Sequence, residues 1–487
     1  MPEKKWTGTL QKIDEYKYLI PSEYKKDMRV PGLIYASSEL IDQIKNDQSL
    51  EQVANVATLP GIVRYSMAMP DIHWGYGFCI GGVAATDPDQ DGVISPGGVG
   101  YDINCGVRIL RTNLQADEIR PSIEKLIRLM FNKVPAGVGK GGKYKFLKEQ
   151  TRRILSQGVK WIVSQGLGTE RDIECCEEQG GIEGADPDAL SNRAYERGED
   201  QCGTLGSGNH FMEVQEVAEI FDPESAKILG LHAGQVTVMI HSGSRGLGYQ
   251  VCEDSIHELR TAPEKYGITL PDRQLVCAPV KSHEGQKYLG AMRSAANFAW
   301  ANRQILTHLA REVMIDFFGK PLKTLGLELI YDVAHNIAKM ETHEVNGQKK
   351  ELCVHRKGAT RAFPKGHPEL PEIYKNIGQP VIIPGDMGRA SYILLGEPKA
   401  MNETFGSTCH GAGRVLSRGA AIRAAKGRSI AAELASQGII AISRDRQGLA
   451  EEQPAAYKDV SQVVNAVVGA GLAKKIARLK PMGVIKG

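Results

Sequence analysis

The 487-residue sequence lacks long apolar runs and has little excess charge of either sign. No stretch approaches the roughly 18 consecutive apolar residues that a membrane-spanning helix needs, and no apolar segment follows the lysines at the N-terminus. We therefore expect neither a signal peptide nor a membrane protein. Sixty lysines and arginines against 57 aspartates and glutamates leave a net charge of only +3. That balance is not typical of a nucleic-acid-binding protein, so any such function must come from local sites.

Cysteine is sparse as well. The nine cysteines are odd in number and scattered, and no two of them form a Cys-x-x-Cys pair. This excludes a dense disulfide scaffold and the zinc-finger patterns, and it predicts a cytoplasmic protein whose cysteines are free for metal or catalytic chemistry. Glycine, in contrast, is abundant, and the 54 glycines cluster in short polar motifs. Such motifs predict loops that approach a ligand closely.

Helical and strand patterns alternate without a regular βαβ rhythm, an internal repeat or a linker, which predicts the α+β class. We expect a single catalytic domain over residues 1–487, built around a central metal site. Within it, residues 112–200 are predicted to form a helical, charge-rich excursion, with 170–200 at the surface. The other predicted helices are 37–46, 290–318, 413–436 and 459–468. Short strands and turns are predicted over 59–105, and further strands at 325–333, 351–355, 380–383, 391–395 and 438–443.

The sequence does not match either of two familiar nucleotide-binding motifs. The segment 137–143 has the glycine and lysine spacing of a P-loop, but Tyr144 stands where a magnesium-binding Ser or Thr is needed. The segment also follows a helical pattern and not a strand. The Lys-x-Asp-Gly motif of ordinary nucleotidyl ligases is absent, because Asp89 occupies the lysine position before the single Asp-Gly pair. Nucleotide chemistry, if present, must use another nucleophile.

Several polar motifs carry candidate metal ligands. Asp102 and Cys105 lie three residues apart in a glycine-rich turn, His210 ends a polar glycine loop, and His241 and His335 each end an apolar strand. Taken one at a time, a buried cysteine or a structural histidine would produce each pattern equally well. Together the five residues offer a thiolate, a carboxylate and three imidazoles. That set is sufficient for two divalent ions and indicates a catalytic centre with open positions.

Two further motifs are suited to phosphate. The basic segment 355–361 is predicted to form a turn that binds phosphate, although a solvated run of charges would read the same way. The segment 407–414 leads into the helix predicted from Arg414 to Ala435, whose N-terminal N–H groups would favour an anion. His410, in this segment, is a candidate base, ligand or nucleophile, and composition does not choose among these roles.

With these residues assembled, the chain resembles the RtcB family of RNA-splicing ligases over nearly its full length. The strings that carry the resemblance are Pro70–His73, Tyr101–Gly106, Gly208–Phe211, His241–Gly246, His335–Asn336, His355–Phe363, Thr408–Arg414 and Val484–Gly487. The resemblance implies an enzyme that depends on GTP and on two Mn²⁺ ions. It implies a reaction in which an RNA 3′-phosphate or 2′,3′-cyclic phosphate end is joined to a 5′-hydroxyl end. RNA, such as tRNA exon halves, and an archease-type activating protein are the implied partners.

The resemblance also implies roles for individual residues. Cys105 bridges the two metals, with Asp102 and His210 on one and His241 and His335 on the other. His410 becomes guanylylated, and Asp71 is also catalytic. The implied nucleotide-binding residues are Asn209, Phe211, Glu213, His335, Asn336, Ser391, His410, Gly411, Ala412, Gly413, Tyr457 and Lys486. The implied RNA-phosphate residues are Asn209, Arg245, Lys357 and Arg418. The Glu213 carboxylate can accept from guanine N1–H and N2, which gives a physical reason for GTP over ATP.

One loop departs from the family pattern. Asp386 stands where many relatives have a small hydroxyl residue, and Arg389 stands where they have Thr, which puts the phosphate contacts of this loop in doubt. Two alternatives to a ligase stay open at this stage. The same metals would serve an RNA-end phosphodiesterase or cyclic phosphatase, and an RNA chaperone without catalysis is a third possibility. Binding of the RNA backbone alone does not require a thiolate, which argues against the chaperone.

Overall fold

The computed structural model describes residues 5–137, 139, 141–444 and 446–487, so Val138 and Lys140 of the P-loop-like segment lie outside the described residues. The strands, in chain order, are β1 (Gln11–Lys12), β2 (Lys17–Ile20), β3 (Gly32–Tyr35), β4 (Ser66–His73), β5 (Ile80–Thr86), β6 (Val93–Ile94), β7 (Gly106–Gln115), β8 (Phe211–Ile220), β9 (Gln235–Ser242), β10 (Ala278–Pro279), β11 (Glu328–Ala334), β12 (Asn336–Val345), β13 (Gln348–Lys357), β14 (Ala359–Arg361), β15 (Pro380–Ile383), β16 (Ser391–Gly396), β17 (Ser407–Cys409), β18 (Ile440–Ser443) and β19 (Ala473–Lys486). The α-helices are α1 (Ser38–Ile44), α2 (Ser49–Val56), α3 (Ala116–Ile119), α4 (Ile123–Lys133), α5 (Lys148–Gln157), α6 (Val159–Ser164), α7 (Glu170–Glu174), α8 (Asn192–Gly198), α9 (Pro223–Leu229), α10 (Arg245–Glu258), α11 (Ala262–Lys265), α12 (His283–Phe318), α13 (Leu322–Leu325), α14 (Pro398–Thr404), α15 (Arg418–Ala424), α16 (Ile430–Ala435), α17 (Arg446–Glu451) and α18 (Val460–Gly469). This mixture confirms the α+β class.

Two large sheets organise the fold. A seven-stranded sheet has the order β1-β2-β3-β4-β5-β13-β12, and an eight-stranded sheet has a path β11-β7-β9-β8-β19-β16-β15 with β18 paired to β19. Neighbours are antiparallel except for the parallel pairs β3 with β4 and β18 with β19. The two-stranded sheets β10-β6 and β14-β17 complete the pairing.

The two large sheets share a hydrophobic core. Leu33 and Val83 of the first sheet belong to the same buried cluster as Val381 and Leu394 of the second, together with Val463 of α18. Strands β3, β15 and β16 are buried along their whole length, which is the pattern of strands covered on both faces of a sheet. The polar strand ends are thereby held at a fixed separation around one central site.

A second core lies between the larger sheet and the 36-residue helix α12. Leu110 and Val238 of the sheet belong to one cluster with Trp300 and Ile305 of the helix. The helix begins at His283, earlier than the predicted residue 290, because the Ser282 hydroxyl accepts from the N–H of Gly285 and caps it. Helices α1, α4 and α18 and strands β11, β13, β15, β16 and β18 lie where the sequence predicts them.

The helix predicted over 413–436 is confirmed only in part: its start is wrong, and it is two short helices. Arg414 instead pairs with Tyr457 in an isolated β-bridge, and the chain becomes helical only at α15, after the Ser417 cap, and again at α16. His410 therefore follows strand β17 and does not precede a helix. The anion site that we expected at a helix N-terminus beside His410 is accordingly absent from the described residues.

The prediction that residues 170–200 lie at the surface is wrong for two of their acidic side chains. Asp172 is buried and forms an ion pair with Arg311 of α12 at 2.5 Å, and Glu177 is buried against Lys339 of β12 at 2.5 Å. An acidic segment is expected at the surface only when no buried Lys or Arg side chain lies close enough to pair with its carboxylates. Among the helices of the described residues, none is long and apolar enough to cross a membrane.

Candidate active site

Four neighbouring strands of the larger sheet end at one place. In the order β11-β7-β9-β8, Ala334 pairs with Gly106, Gly106 with Ser242, and His241 with Phe211. His335 follows β11, Cys105 precedes β7, His241 lies at the end of β9 and His210 precedes β8. Antiparallel register therefore brings four of the predicted metal ligands to one edge of the sheet, although up to 230 residues separate them in the chain.

The candidate ligand atoms form two groups that share one sulfur. The Cys105 Sγ lies 3.3 Å from Nε2 of His210 and 3.3 Å from Nε2 of His241. The Nε2 of His241 lies 3.4 Å from that of His335, and the Nε2 of His210 lies 2.9 Å from Oδ2 of Asp102. Asp102, Cys105 and His210 thus form one group, and Cys105, His241 and His335 form the other.

The electrostatics of these groups fit a cation. Burial raises the pKa of the Cys105 thiol well above its ordinary value, and the Asp102 carboxylate raises it further. Burial also lowers the pKa of His241 and of His335 well below the ordinary value, so both imidazoles are neutral. Neutral imidazoles and a carboxylate are metal ligands, and a cation ionises a buried thiol. The donor set therefore fits two divalent cations that share the thiolate.

A buried charge network holds the ligand-bearing segments in place. Arg303 of α12 donates from Nη1 to the carbonyls of Asn104 and Ser242, at 2.8 Å and 2.9 Å. Those carbonyls belong to the residues adjoining Cys105 and His241. Asp332 of β11 accepts from both Arg303 and Arg108, and all three side chains are fully buried. The network connects helix α12 to the strand ends beneath the candidate metal centre.

His410 lies beside the candidate metal centre and is held by Asp71. Nδ1 of His410 lies 2.5 Å from Oδ2 of Asp71, and the rings of His410 and His335 have centroids 4.8 Å apart. Burial opposes ionisation of Asp71, but the charge and hydrogen bonds of His410 hold the pKa of that carboxyl below its ordinary value. Since Asp71 occupies Nδ1, the remaining ring nitrogen Nε2 is the one available for reaction.

A cavity of about 260 Å³ joins these groups. It is lined by sixteen of the residues implied by the resemblance: Asp102, Cys105, Asn209, Phe211, Glu213, His241, His335, Asn336, Ser391, His410, Gly411, Ala412, Gly413, Arg418, Tyr457 and Lys486. The tertiary structure thus brings together positions from residue 102 to residue 486. A ligand in this cavity would contact the histidines at one end and a set of polar side chains at the other.

The end of the cavity away from the metal ligands has buried polar groups. Burial raises the pKa of Glu213 to about 8, although the amide of Gln215 donates to it at 2.6 Å. The same amide nitrogen lies 3.2 Å from the hydroxyl of Ser391. Lys486 donates to the carbonyl of Gly208 at 3.1 Å, and its ammonium lies 5.6 Å from the centroid of the Phe211 ring. These groups can fix the orientation of a planar polar ligand.

Four of the expected site residues do not line the cavity. Asp71 lies behind His410, and His210 lies behind Asp102 and Cys105. The guanidinium of Arg245 donates from Nε to the hydroxyl of Thr204 at 2.8 Å, and burial lowers its pKa. Lys357 is buried, where its ammonium donates to the carbonyls of Tyr76, Phe78 and Gly97.

The basic segment 355–361 is neither the exposed phosphate-binding turn nor the solvated charge run considered from the sequence. Residues 355–357 end β13 and residues 359–361 form β14, with Gly358 between them at a φ of 62°. Arg356 forms an ion pair with Glu341 at 2.5 Å and Arg361 forms one with Glu178 at 2.8 Å. Acidic residues outside the segment neutralise these arginines, Glu341 from the neighbouring strand β12 and Glu178 from 183 positions away, which a local charge pattern does not reveal.

The structure also reveals site residues that the sequence analysis missed. Glu452 is buried beside the cavity, where it accepts from the Tyr457 hydroxyl and pairs with Arg414 at 2.9 Å. Lys458 donates to the carbonyls of Pro70 and Ile72, which flank Asp71, at 3.1 Å and 2.5 Å. A strongly polar residue next to a site residue, such as Lys458 after Tyr457, was the available signal. Glu452 lies in no polar motif and offered none.

Comparison with known proteins identifies the family. The family model described as tRNA-splicing ligase RtcB matches residues 52–487. The chain belongs to the RtcB family. It is 54% identical to the tRNA-splicing ligase RtcB of Thermococcus kodakarensis over 478 residues, which cover 98% of this chain and 99% of that one. It is likewise 54% identical over 480 residues to the tRNA-splicing ligase RtcB of Archaeoglobus fulgidus, covering 99% of each chain.

A bacterial relative is similar to nearly the same extent. The RNA-splicing ligase RtcB of Mycobacterium tuberculosis is 53% identical over 438 residues, which cover 90% of this chain and the whole of the relative. The predicted resemblance to the RtcB family is therefore confirmed. Membership supports RNA ligation as the activity of the chain, and the candidate metal groups are consistent with a metal-dependent ligase.

Proposed function

We propose that the chain is a GTP-dependent ligase that joins RNA 3′-phosphate or 2′,3′-cyclic phosphate ends to 5′-hydroxyl ends through a GMP adduct on His410. Family membership supports the RNA ligase activity. The single observation that carries the chemistry is the position of His410, which is hydrogen-bonded to Asp71 and lies next to His335 in the same cavity. This arrangement pairs a nucleophile with an orienting carboxylate.

In the first step, Nε2 of His410 attacks the α-phosphorus of GTP. A P–N bond forms and the bond from that phosphorus to the bridging oxygen breaks, which releases pyrophosphate. Asp71 keeps the proton on Nδ1, so the lone pair is on Nε2, and its charge stabilises the positive charge that develops on the ring. The backbone N–H groups of His410 and Gly411 hold the same carboxylate oxygen, at 2.9 Å and 3.2 Å.

In the next two steps the GMP is transferred and then displaced. An oxygen of the RNA 3′-phosphate attacks the phosphorus of the adduct, and the P–N bond to His410 breaks. The 5′-hydroxyl oxygen of the second RNA then attacks the phosphorus of the 3′-phosphate and releases its proton to solvent, while the bond from that phosphorus to the oxygen shared with GMP breaks and GMP leaves. A cyclic end must first be hydrolysed to the 3′-phosphate. Asn209 and Arg418, which line the cavity, are positioned to bind RNA phosphates, with Arg245 and Lys357 as the further proposed contacts.

Two Mn²⁺ ions are the proposed metals. Asp102 and His210 would hold one and His241 and His335 the other, with Cys105 shared between them. Bound cations would neutralise phosphate charge and align the attacking and leaving oxygens. Intrinsic affinity at thiolate and imidazole ligands favours Zn²⁺ over Mn²⁺, so the choice of manganese rests on the family resemblance and on cellular metal supply.

The other end of the cavity is the proposed guanine pocket. Glu213, once ionised, can accept from guanine N1–H and the N2 amine, a pair of donors that adenine lacks. Ser391 and Lys486 supply further polar contacts, and Phe211 and Tyr457 provide flat surfaces beside the base. The remaining proposed nucleotide contacts are Asn209, His335, Asn336 and the loop Gly411–Gly413.

The proposed setting follows from the family name and from the resemblance. Relatives are named tRNA-splicing ligases, so we propose tRNA exon halves as RNA substrates, an archease-type protein as an activating partner and the cytoplasm as the location. A metal-dependent phosphodiesterase or cyclic phosphatase is the alternative. It would use the same metal centre but would not form a GMP adduct.

One experiment separates these activities. The purified protein is incubated with Mn²⁺ and GTP, and mass spectrometry then locates added GMP. We expect one GMP on His410, none in His410→Ala, and full labelling in His257→Ala, which alters an exposed histidine of α10. With RNA present, the ligase yields longer products and the phosphodiesterase yields trimmed ends. Labelling that persists in His410→Ala would contradict the proposed nucleophile.

A further inference from the structure

Four aromatic side chains lie in segments that adjoin the cavity lining or contact each other there, and we refer to Trp74, Tyr76, Tyr101 and Tyr249 as the aromatic rim. We propose that the aromatic rim binds unpaired nucleobases of the RNA strand whose end reacts in the cavity. The inference rests on the proposed function, because it assumes an RNA substrate. It adds a base-stacking surface to the phosphate contacts already described.

The exposure of two rim side chains is unusual for this protein. Trp74 is 53% exposed and Tyr249 is 40% exposed, whereas the other three tryptophans, Trp6, Trp161 and Trp300, are at most 6% exposed. Burying a tryptophan is strongly favourable, so a Trp left in water next to a polar cavity indicates a contact surface.

The three tyrosine rings of the rim form a continuous series. Tyr76 and Tyr101 have centroids 5.5 Å apart in an edge-to-face arrangement, and Tyr101 and Tyr249 are stacked at 4.7 Å with 27° between their planes. The guanidinium of Arg197 lies over Tyr249 at 4.9 Å. One surface thus joins three parts of the chain: the loop before β5, the turn before Cys105 and helix α10.

The rim is continuous with the candidate active site through the chain itself. Trp74 directly follows His73, and Tyr101 directly precedes Asp102; both His73 and Asp102 line the cavity. Tyr249 lies in α10, four residues after Arg245, where that helix begins, and its ring stacks on that of Tyr101. A strand with its end in the cavity would therefore pass over the rim within its first few nucleotides.

One arginine of this surface suits an RNA strand. Arg197 lies over the Tyr249 ring at 4.9 Å, and its guanidinium also contacts Gln250 at 3.0 Å and Glu253 at 3.6 Å. Arginine binds phosphate and also stacks on bases, and aromatic rings stack with any base. Unpaired RNA presents both features, whereas the bases of a duplex are already stacked. The surface therefore fits a single strand whose sequence is not read.

The test measures binding of short single-stranded RNAs that carry either a 3′-phosphate or a 5′-hydroxyl end. Each RNA is made intact and with abasic terminal nucleotides. We expect Trp74→Ala and Tyr249→Ala each to raise the Kd of the intact RNA with the relevant end by about tenfold. Neither substitution is expected to raise the Kd of the abasic RNA, because the stacked base is already missing. If the Kd rises only for RNA with one kind of end, the RNA strand that carries that end is the one that binds the aromatic rim.

Spectroscopy and a matched variant complete the test. Intact RNA is expected to quench the tryptophan fluorescence of the wild-type chain but not that of Trp74→Phe, since the remaining tryptophans are buried. Phe221→Ala removes a 38% exposed aromatic residue elsewhere and is expected to leave RNA binding unchanged. An unchanged Kd in both alanine variants, or an equal loss for abasic RNA, would overturn the proposal. GMP labelling without RNA tests the proposed function separately, because the rim variants should retain it.

Discussion

Oδ2 of Asp71 accepts three hydrogen bonds from a single loop, one from Nδ1 of His410 at 2.5 Å and two from the N–H groups of His410 and Gly411. The two side chains are 339 positions apart in the chain. Asp71 lies in β4 of the seven-stranded sheet, and His410 follows β17. Their contact therefore attaches the loop that carries His410 to that sheet. The ring orientation of His410 therefore depends on the charge and position of one carboxylate.

Substitution of this carboxylate should slow GMP transfer to the protein. In Asp71→Asn the side chain stays similar in size but no longer stabilises a positive imidazole, so we expect the labelling rate to fall roughly 10²- to 10⁴-fold. Single-turnover labelling with radioactive GTP measures the rate. A rate equal to that of wild type would show that Asp71 does not support His410.

Loss of the shared thiolate should remove both metals. We expect Cys105→Ala to bind no Mn²⁺ tightly, and His210→Ala or His335→Ala each to lose one ion, because Cys105 belongs to both groups of candidate ligands. Metal content after dialysis, measured by plasma mass spectrometry, checks this. Cys277→Ser, a buried cysteine in a separate cluster, serves as the control with full occupancy. Two bound ions in Cys105→Ala would refute a shared ligand.

Nucleotide binding should depend on pH through Glu213. Burial raises the pKa of Glu213 to about 8, and Asp386 adds to the increase. The acid is protonated below that value, and its two oxygens can accept from both guanine donors only when it is ionised, so GTP affinity is expected to strengthen as pH rises through about 8. Asp386→Ser should move this transition to lower pH because it removes the neighbouring negative charge.

Fluorescence titrations with a labelled guanine nucleotide across this pH range provide the measurement. Glu213→Gln is the matched control and should bind weakly without the transition. If Asp386→Ser left the midpoint where it is in wild type, the coupling between the two acids would be disproved. This prediction concerns the loop in which the chain departs from the family pattern.

The buried network beneath the metal centre should be important for stability. Asp332→Asn leaves the guanidinium groups of Arg108 and Arg303 without their counter-charge, and we expect the free energy of unfolding to fall by about 3–5 kcal/mol. Urea denaturation followed by circular dichroism measures the change. Glu124→Gln breaks an exposed pair with Arg128 and should change it by less than about 1 kcal/mol. Equal effects of the two substitutions would contradict the argument.

Parts of the fold could be predicted because their patterns are local. The strands β15 and β16 are short, continuous apolar runs that are buried on both faces, and the helix α18 has apolar residues at helical spacing, so all three lie where the local pattern placed them. The predicted start of the helix over 413–436 was wrong because the pairing of Arg414 with Tyr457 keeps the chain extended there. Tyr457 lies 43 residues from Arg414, so the hydrophobic pattern of the segment 413–436 cannot reveal this pairing.

The sequence by itself determined the chemistry available to this protein, because one thiol, one carboxylate and three imidazoles in short polar strings restrict what the chain can bind, and the same strings place it in its family. Only the tertiary structure decided that four strand ends place Cys105 between two sets of ligands and that Asp71 supports His410. It also decided that Arg356, Arg361 and Lys357 are buried among partners and not presented on an open turn. These outcomes depend on strand register and on burial, which arise from contacts between residues hundreds of positions apart.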